Sequence, residues 1–328
     1  ADDAHSLMGS WAGDGRKEDV VTLLAGLRAR TRPALKIHHA KGCEVDGESR
    51  AGFDEALRAA KKAEFVILAV GESAEMSGEA ASRSSLDLPG RQLELIQAVH
   101  ATGKPYAVVL MNGRPLSIPW LAAHAPAILE TWFGGTQAGH AIADVLFGDV
   151  NPGGKLPVTF PQSVGQVPLY YNHKPTGRPP EAGNKYTSKY LDVPWTPLYP
   201  FGYGLSYTEF KLSNLRLSET RISPAGRVTA RVDVQNIGRV AGDEVVQLYL
   251  RRTAASVTRP IKELKGFERI TLRPGETRTV EFELGPEHLG FYGREMKFGV
   301  EPGVVEVMAG SSSETALSTR LEVISNHN

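Results

Sequence analysis

"FVILAVGESAEMSGEAASR", residues 65–83, decides how the first half of the chain is read. Six apolar residues run unbroken into Gly71, and three glutamates, Glu72, Glu75 and Glu79, then fall within eight positions among glycines and serines. An apolar run this short, closed by glycine, predicts a strand buried on both faces. "YAVVLM" (106–111) and "AILETW" (127–132) repeat the pattern. Helical spacing surrounds these runs. Val20, Leu23, Leu24 and Leu27 in "EDVVTLLAGLRAR" show it, as do Phe53, Leu57 and Ala60 in "GFDEALRAAKKA"; "RQLELIQAVHATG" and "TQAGHAIADVLFG" follow. Buried strands alternating with amphipathic helices predict an α/β fold, a doubly wound, mostly parallel sandwich domain over residues 1–160.

The rhythm then changes twice. Residues 161–210 are rich in Pro, Gly and Tyr without a sustained period. They are too aromatic for a disordered linker, so a long ordered connection is expected. From 211 to 328 the pattern is all β: "RVTARVDVQNIG", "EVVQLYLRR" and "TRTVEFEL" alternate, with "RPGET" (273–277) and "EPGVV" (301–305) as turns. Short alternating strands with Pro-Gly turns predict a β-sandwich of the fibronectin type III kind.

A length of 328 residues favours two domains. Lys+Arg and Asp+Glu each number 37, leaving no net basic charge to favour nucleic acid or an anionic membrane as partner. Cys43 stands alone, so neither an intrachain disulfide nor a cysteine metal site is expected. No apolar stretch approaches the roughly 20 residues of a membrane span. The start, "ADDAHSLMGSW", lacks the basic and apolar regions of a signal peptide, which leaves a cleaved leader open.

Ligands of open α/β sheets bind beyond the carboxyl ends of the strands. Here those positions hold "GESAEMSGEAASR", "NGRP" (112–115) and "FGGTQ" (133–137). No GxGxxG or GxxxxGK[ST] follows any strand, and no serine occupies a GxSxG elbow. His38, His39, His100, His124, His140 and His173 lack metal-motif spacing and read as ordinary histidines. As a helix, the acidic segment would set Glu75 and Glu79 on one face to repel; its glycines and serines predict a bendable loop instead. On spacing alone a solvated acidic loop is the simpler reading, and one carboxylate does not suffice for glycoside hydrolysis.

The segment "VGESAEMSGEAASRSSLDLPGRQLELI" resembles the acid/base loop of family 3 glycoside hydrolases, the group containing bacterial β-glucosidases. "GKPYAVVLMNGRPLSIPW", "AILETWFGGTQAGHAIADVLFGDVNPGGKLPVTFPQSVGQVPLYY", "NKYTSKYLDVPWTPLYPFGYGLSYTEF" and "RPIKELKGFERITLRPGET" resemble consecutive segments of the same enzymes, so the likeness covers nearly the whole chain in order. It implies the family's α/β sandwich followed by its fibronectin type III-like domain. It puts the proton donor at Glu79, with Glu75 as runner-up. Glu72 would anchor the loop through hydrogen bonds. Arg83 would position the loop or the sugar, with a structural salt bridge as the alternative. It further implies retaining chemistry, in which an aspartate attacks the anomeric carbon while the glutamate protonates the leaving oxygen. The aspartate's charge favours a protonated glutamate; once esterified it no longer does, and the glutamate serves as base.

In that family the aspartate comes from an N-terminal (β/α)8 barrel, which this sequence does not contain. The resemblance thus makes the chain the C-terminal portion of a longer enzyme, opening just inside the first strand of the sandwich, with the barrel as partner. Asp87, Asp144 and Asp149 match nothing of the family's aspartate. The expected substrate is a β-linked oligosaccharide, with no metal or redox cofactor. A homodimer would suit a loop that reaches a neighbouring site. A periplasmic or extracellular location follows from such a substrate. Open alternatives are a β-xylosidase or other exo-β-glycosidase, and a non-catalytic carbohydrate-binding module. Trp132, Asn112 and Arg114 read as packing and loop-fixing residues. "NKYTSKYLDVPWTPLYPFGYGLSY" reads as a clamp between the domains, with Trp195 and Tyr199 as candidate sugar-stacking rings.

Overall fold

In the computed structural model, which describes residues 1–30 and 35–325, the three apolar runs become strands β1 (Val66–Gly71), β2 (Tyr106–Met111) and β3 (Ile128–Glu130). They form one parallel sheet in the order β1-β2-β3, with Gly71 paired to Met111 and Leu110 to Glu130. Helices α1 (Ala4–Met8), α2 (Leu23–Arg30), α3 (Phe53–Lys62), α4 (Gln92–His100), α5 (Pro119–His124) and α6 (Ala138–Leu146) accompany it. Ile67, Ala69, Val109, Met111 and Leu129 pack with Leu7, Leu23, Leu27 and Ile142 of α1, α2 and α6. Leu68, Val70, Val108 and Leu110, which alternate with them along the strands, are buried too. Both faces are therefore covered, as continuous apolar strands require.

Two local expectations change. The opening segment holds helix α1, capped by the Asp3 carboxylate on the Ser6 N–H, rather than the edge of a strand. Helix α2 begins at Leu23, five residues after Glu18. Thr22 Oγ1 accepts the Ala25 N–H as a cap, while the Val21 backbone is committed to Thr136 and Gly139. Apolar spacing locates a helix's face, but side-chain capping decides where it starts.

Strand β1 ends at a position only glycine fills. Gly71 has φ +142°, and a Cβ there would lie 1.7 Å from the Met111 carbonyl oxygen. As β1 is an edge strand, the buried Gln92 side chain supplies a substitute ladder, accepting the Gly71 N–H and donating to the Gly71 carbonyl, both at 2.8 Å.

The all-β part comprises β4 (Phe210–Leu217), β5 (Arg221–Ile222), β6 (Val228–Asn236), β7 (Gly242–Arg252), β8 (Glu263–Leu272), β9 (Thr277–Leu284), β10 (Phe291–Tyr292), β11 (Phe298–Gly299), β12 (Gly303–Gly310) and β13 (Leu317–Val323). A five-stranded sheet, β5-β13-β12-β7-β8, and a three-stranded sheet, β4-β6-β9, enclose a core that includes Val232, Val234, Leu248, Leu272 and Leu321; β10 and β11 pair separately. Alternating burial along β6 matches its alternating sequence. By contact pattern Ala1–Val150 and Pro161–Val167 form one compact unit, Asn151–Phe160 and Pro168–Asn328 the other. Within the second unit, the aromatic stretch is held by an antiparallel bridge between Phe160 and Tyr199 and by Tyr171 stacked on Phe201 at 4.5 Å.

Candidate active site

The carboxyl ends of the three parallel strands put Glu72, Asn112 and Glu130 side by side. Glu72 follows Gly71 in register with Asn112, and Glu130 pairs with Leu110, two residues before Asn112. Side chains at such positions share one face of a sheet.

Glu72 is the hub. Its side chain is fully buried, with Arg83 Nη1 at 2.7 Å and Arg114 Nε at 3.1 Å from Oε1, and the Gly113 N–H donating to Oε2 at 3.1 Å. The Arg114 Nε contact lies off the hydrogen-bond axis, so it is an ion pair without a well-formed hydrogen bond. Arg83 Nη2 also donates to the Asp87 carbonyl at 2.9 Å. Arg114 Nη2 donates to the carbonyls of Met76 and, at 2.8 Å, Ala81. These two carbonyls bracket Glu79, so one guanidinium holds both ends of the segment that bears it.

The loop between those ends is shaped by Gly78 and Ala80, with φ +113° and +57°. A Cβ on Gly78 would sit 2.8 Å from Ser10 Cβ and 3.2 Å from Trp11 Nε1. Glycine thus permits both the bend and the close approach of the segment after α1. Ser10 Oγ binds that side of the loop by donating to the Ala74 carbonyl at 2.5 Å. Glu79 itself is exposed at the tip. It borders an open cleft of about 710 Å³ with His5, Met8, Trp11, Glu75 and Ser77. The Trp11 indole is 73% exposed there, an unusual state for the largest aromatic.

Glu75 faces the same cleft but is engaged: Oε1 lies 2.6 Å from His5 Nε2. A hydrogen bond from its own backbone N–H, then those from Ser73 and His5, hold its carboxyl below the ordinary range. Of the aspartates, Asp87 accepts from Ser85 Oγ, while Asp144 and Asp149 both pair with Arg30. Asn112 is fully buried and donates Nδ2 to the Arg114 carbonyl at 2.7 Å. Trp132 takes a left-handed φ of +52°, and its N–H donates to Glu130 Oε1 at 2.9 Å. Tyr199 of the second unit stacks on Tyr203 at 5.2 Å, while Trp195 is exposed. Among the described residues no group of His, Cys, Asp and Glu side chains could hold a metal ion, and no helix is long and apolar enough to cross a membrane.

Sequence reasoning passed over three residues here. Trp11 and His5 lie in a segment read for its lack of a leader signal and as the edge of a strand, not for the site. Glu130 sits inside an apolar run, and that was a usable signal: a carboxylate in a strand predicted to be buried is costly unless partnered or protonated. Burial pushes its carboxyl up to about 8.

Residues 1–207 match the glycosyl hydrolase family 3 C-terminal domain, and residues 244–313 a fibronectin type III-like domain. The chain is 47% identical to a periplasmic beta-glucosidase of Salmonella typhimurium over 99% of its own length and 45% of the relative's. It is 48% identical to a beta-xylosidase of Formosa agariphila, over 94% of this chain and 42% of that protein. The crystal structure of a Listeria innocua beta-glucosidase in complex with glucose superposes with a TM-score of 0.91 at 40% identity, covering 97% of this chain and 44% of that one. The chain thus spans a little under half the length of these relatives.

Proposed function

This chain belongs to glycosyl hydrolase family 3, and from that premise we propose that it is the part of a retaining β-glucosidase that carries the acid/base carboxylate, Glu79. The observation that carries this reading is how the loop is built. Its base is clamped by Glu72, Arg83 and Arg114, while its tip holds Glu79 exposed at the edge of a cleft beside Trp11. A general acid must be fixed within hydrogen-bond reach of the oxygen it protonates, yet remain open to substrate. Glu75, held ionised beside His5, is less suited to donate a proton. Arg83 acts here as a positioning residue, since both its terminal nitrogens are occupied by the protein.

The substrate is a β-gluco-oligosaccharide from which terminal glucose is released. Glu79 gives its proton to the departing glycosidic oxygen as an aspartate of the barrel, outside this chain, bonds to the anomeric carbon. Glu79 then takes a proton from the water that attacks the glycosyl-aspartate, and glucose leaves with the aspartate restored. The exposed Trp11 face suits an apolar sugar face or an aryl leaving group at the mouth of the cleft. The Salmonella relative's periplasmic designation supports the same location for this chain. A β-xylosidase is the second reading, supported by the 48% identity to the Formosa protein.

The test uses the enzyme comprising this chain and the barrel. Glu79→Ala should slow cellobiose hydrolysis by roughly 10²–10⁴-fold, and hydrolysis of an aryl glucoside with a good leaving group by much less, because that group needs little protonation. Glu75→Ala should spare both. Equal losses on the two substrates for Glu79→Ala would remove the donor role, and a matching selective loss for Glu75→Ala would transfer it. Comparing aryl glucoside with aryl xyloside on the wild type separates the two glycone readings.

A further inference from the structure

Beside the clamp lies a half-buried acid, with a buried Oε2, that the reaction as written does not use. Asn112 Nδ2 donates to the Arg114 carbonyl, which can only accept, so the amide's orientation is fixed. That leaves Asn112 Oδ1, buried and without a partner. Glu130, paired with Leu110 two residues before Asn112, lies on the same sheet face of the adjacent strand, and the Asn112 side chain hydrogen-bonds its carboxyl. Glu130 Oε1 accepts the Trp132 N–H, and Oε2 is also buried without a partner. Two acceptor oxygens left over at adjacent strand ends are satisfied together by one proton.

We propose that Glu130 is a neutral carboxylic acid at physiological pH, its Oε2–H donating to Asn112 Oδ1, and that it serves as a positioning residue for the acid/base loop. The relay runs from Glu130 to the Asn112 amide, from that amide to the Arg114 backbone, and from the Arg114 guanidinium to the carbonyls of Met76 and Ala81 on either side of Glu79. Buried polar networks fix geometry only when every member is satisfied. The charged group facing Glu130 is Glu72, from the end of β1, which opposes ionisation; Arg83 and Arg114 face Glu72 itself. Burial acts in the same direction and is the largest influence; hydrogen bonds from the Trp132 N–H, the Asn112 side chain and the Thr131 N–H favour the carboxylate and are outweighed. Raising pH through about 8 therefore strips the proton, leaves a carboxylate facing an amide oxygen, and loosens the loop from beneath.

The link to Glu79 rests on the proposed function; the protonation of Glu130 does not, so the experiment reads the two apart. On this chain alone, infrared difference spectra across the alkaline range should show loss of a protonated-carboxyl carbonyl band centred near pH 8, absent in Glu130→Gln. A wild-type spectrum without that band, or one retained in Glu130→Gln, overturns the assignment. In the enzyme with its barrel, Glu130→Gln keeps an N–H donor for Asn112 and an oxygen for Trp132. It should stay within about twofold of wild-type kcat near pH 6 and lose the relay's alkaline limb. Glu130→Ala should fall about tenfold in kcat with KM little changed. If Glu130→Gln falls as far as Glu130→Ala, or retains the wild-type pH profile, the relay is wrong even where Glu79 proves to be the acid.

Discussion

Replacing Glu72 with glutamine should cost the first unit about 3 kcal/mol, although the side chain meets neither solvent nor substrate. The arithmetic follows from its contacts. Removing one partner from a buried ion pair costs about 3–5 kcal/mol, because the other charge is stranded. Here two guanidiniums, with side chains only 18% and 19% exposed, depend on one fully buried carboxylate. Glutamine keeps an oxygen for one of them, which places the loss at the lower end. Alanine also strands the Gly113 N–H, adding about 1–3 kcal/mol, so Glu72→Ala should exceed 4 kcal/mol. Arg83→Met should cost less than either, since Glu72 retains Arg114 and Gly113. Urea unfolding measures this directly. With a slope of about 1–3 kcal/mol per molar, the Glu72→Gln midpoint should fall by about 1–3 M. Arg16→Ala, which breaks a pair exposed on both sides, serves as the control and should move stability by less than about 0.5 kcal/mol. A Glu72→Gln loss below about 1 kcal/mol would refute the reasoning, because that is the range of solvated pairs.

Two further expectations test the frame around the site. Gly71→Ala should prevent stable folding of the first unit or lower its stability by more than about 3 kcal/mol, since its Cβ would penetrate the Met111 carbonyl. Gly103→Ala, also at positive φ but facing open space, should cost only about 1–2 kcal/mol; similar melting temperatures for the two variants would contradict the close-approach argument. In the β-sandwich, Leu248→Ala should cost about 2–5 kcal/mol in urea unfolding, because Leu248 is wholly buried. Phe267→Ala, removing a larger but mostly exposed ring on a neighbouring strand, should cost under about 1 kcal/mol. The reverse order would mean that Phe267 is covered in solution.

The strands and the helical faces were legible because burial writes a period into the sequence. Leu68, Val70, Val108 and Leu110 read as strand core and are core. Glu72 was legible as an anchor from its place at a strand end. What could not be read was which charges meet. Glu72 and Arg114 are 42 positions apart, and His5 and Glu75 are 70 apart; no local pattern encodes either approach. The short third strand was hidden for another reason. "AILETW" has strand composition to its end, but the backbone leaves the sheet after Glu130 and turns through a left-handed Trp132, a conformation that composition does not report.

On the proposed reading, the division of the site between this chain and the barrel has a physical logic. The structure invests its buried charge in the base of the loop, where Glu72 and two arginines are shielded from water, and leaves Glu79 at the exposed tip. Catalysis needs a proton on that carboxyl before the glycosidic bond breaks and needs it gone afterwards. A second carboxylate, brought close by the barrel and esterified midway through the reaction, supplies such an environment and then removes it. The task left to this chain is geometric: to hold Glu79 where the partner's charge can act on it. A clamp that grips both ends of the loop while leaving its tip bare, backed by a neutral acid adding no charge of its own, meets that requirement. Glu130 and Glu79 then share a residue type but have opposite duties. Glu130 keeps its proton so that the loop stays in place, and Glu79 is placed so that it can give one up.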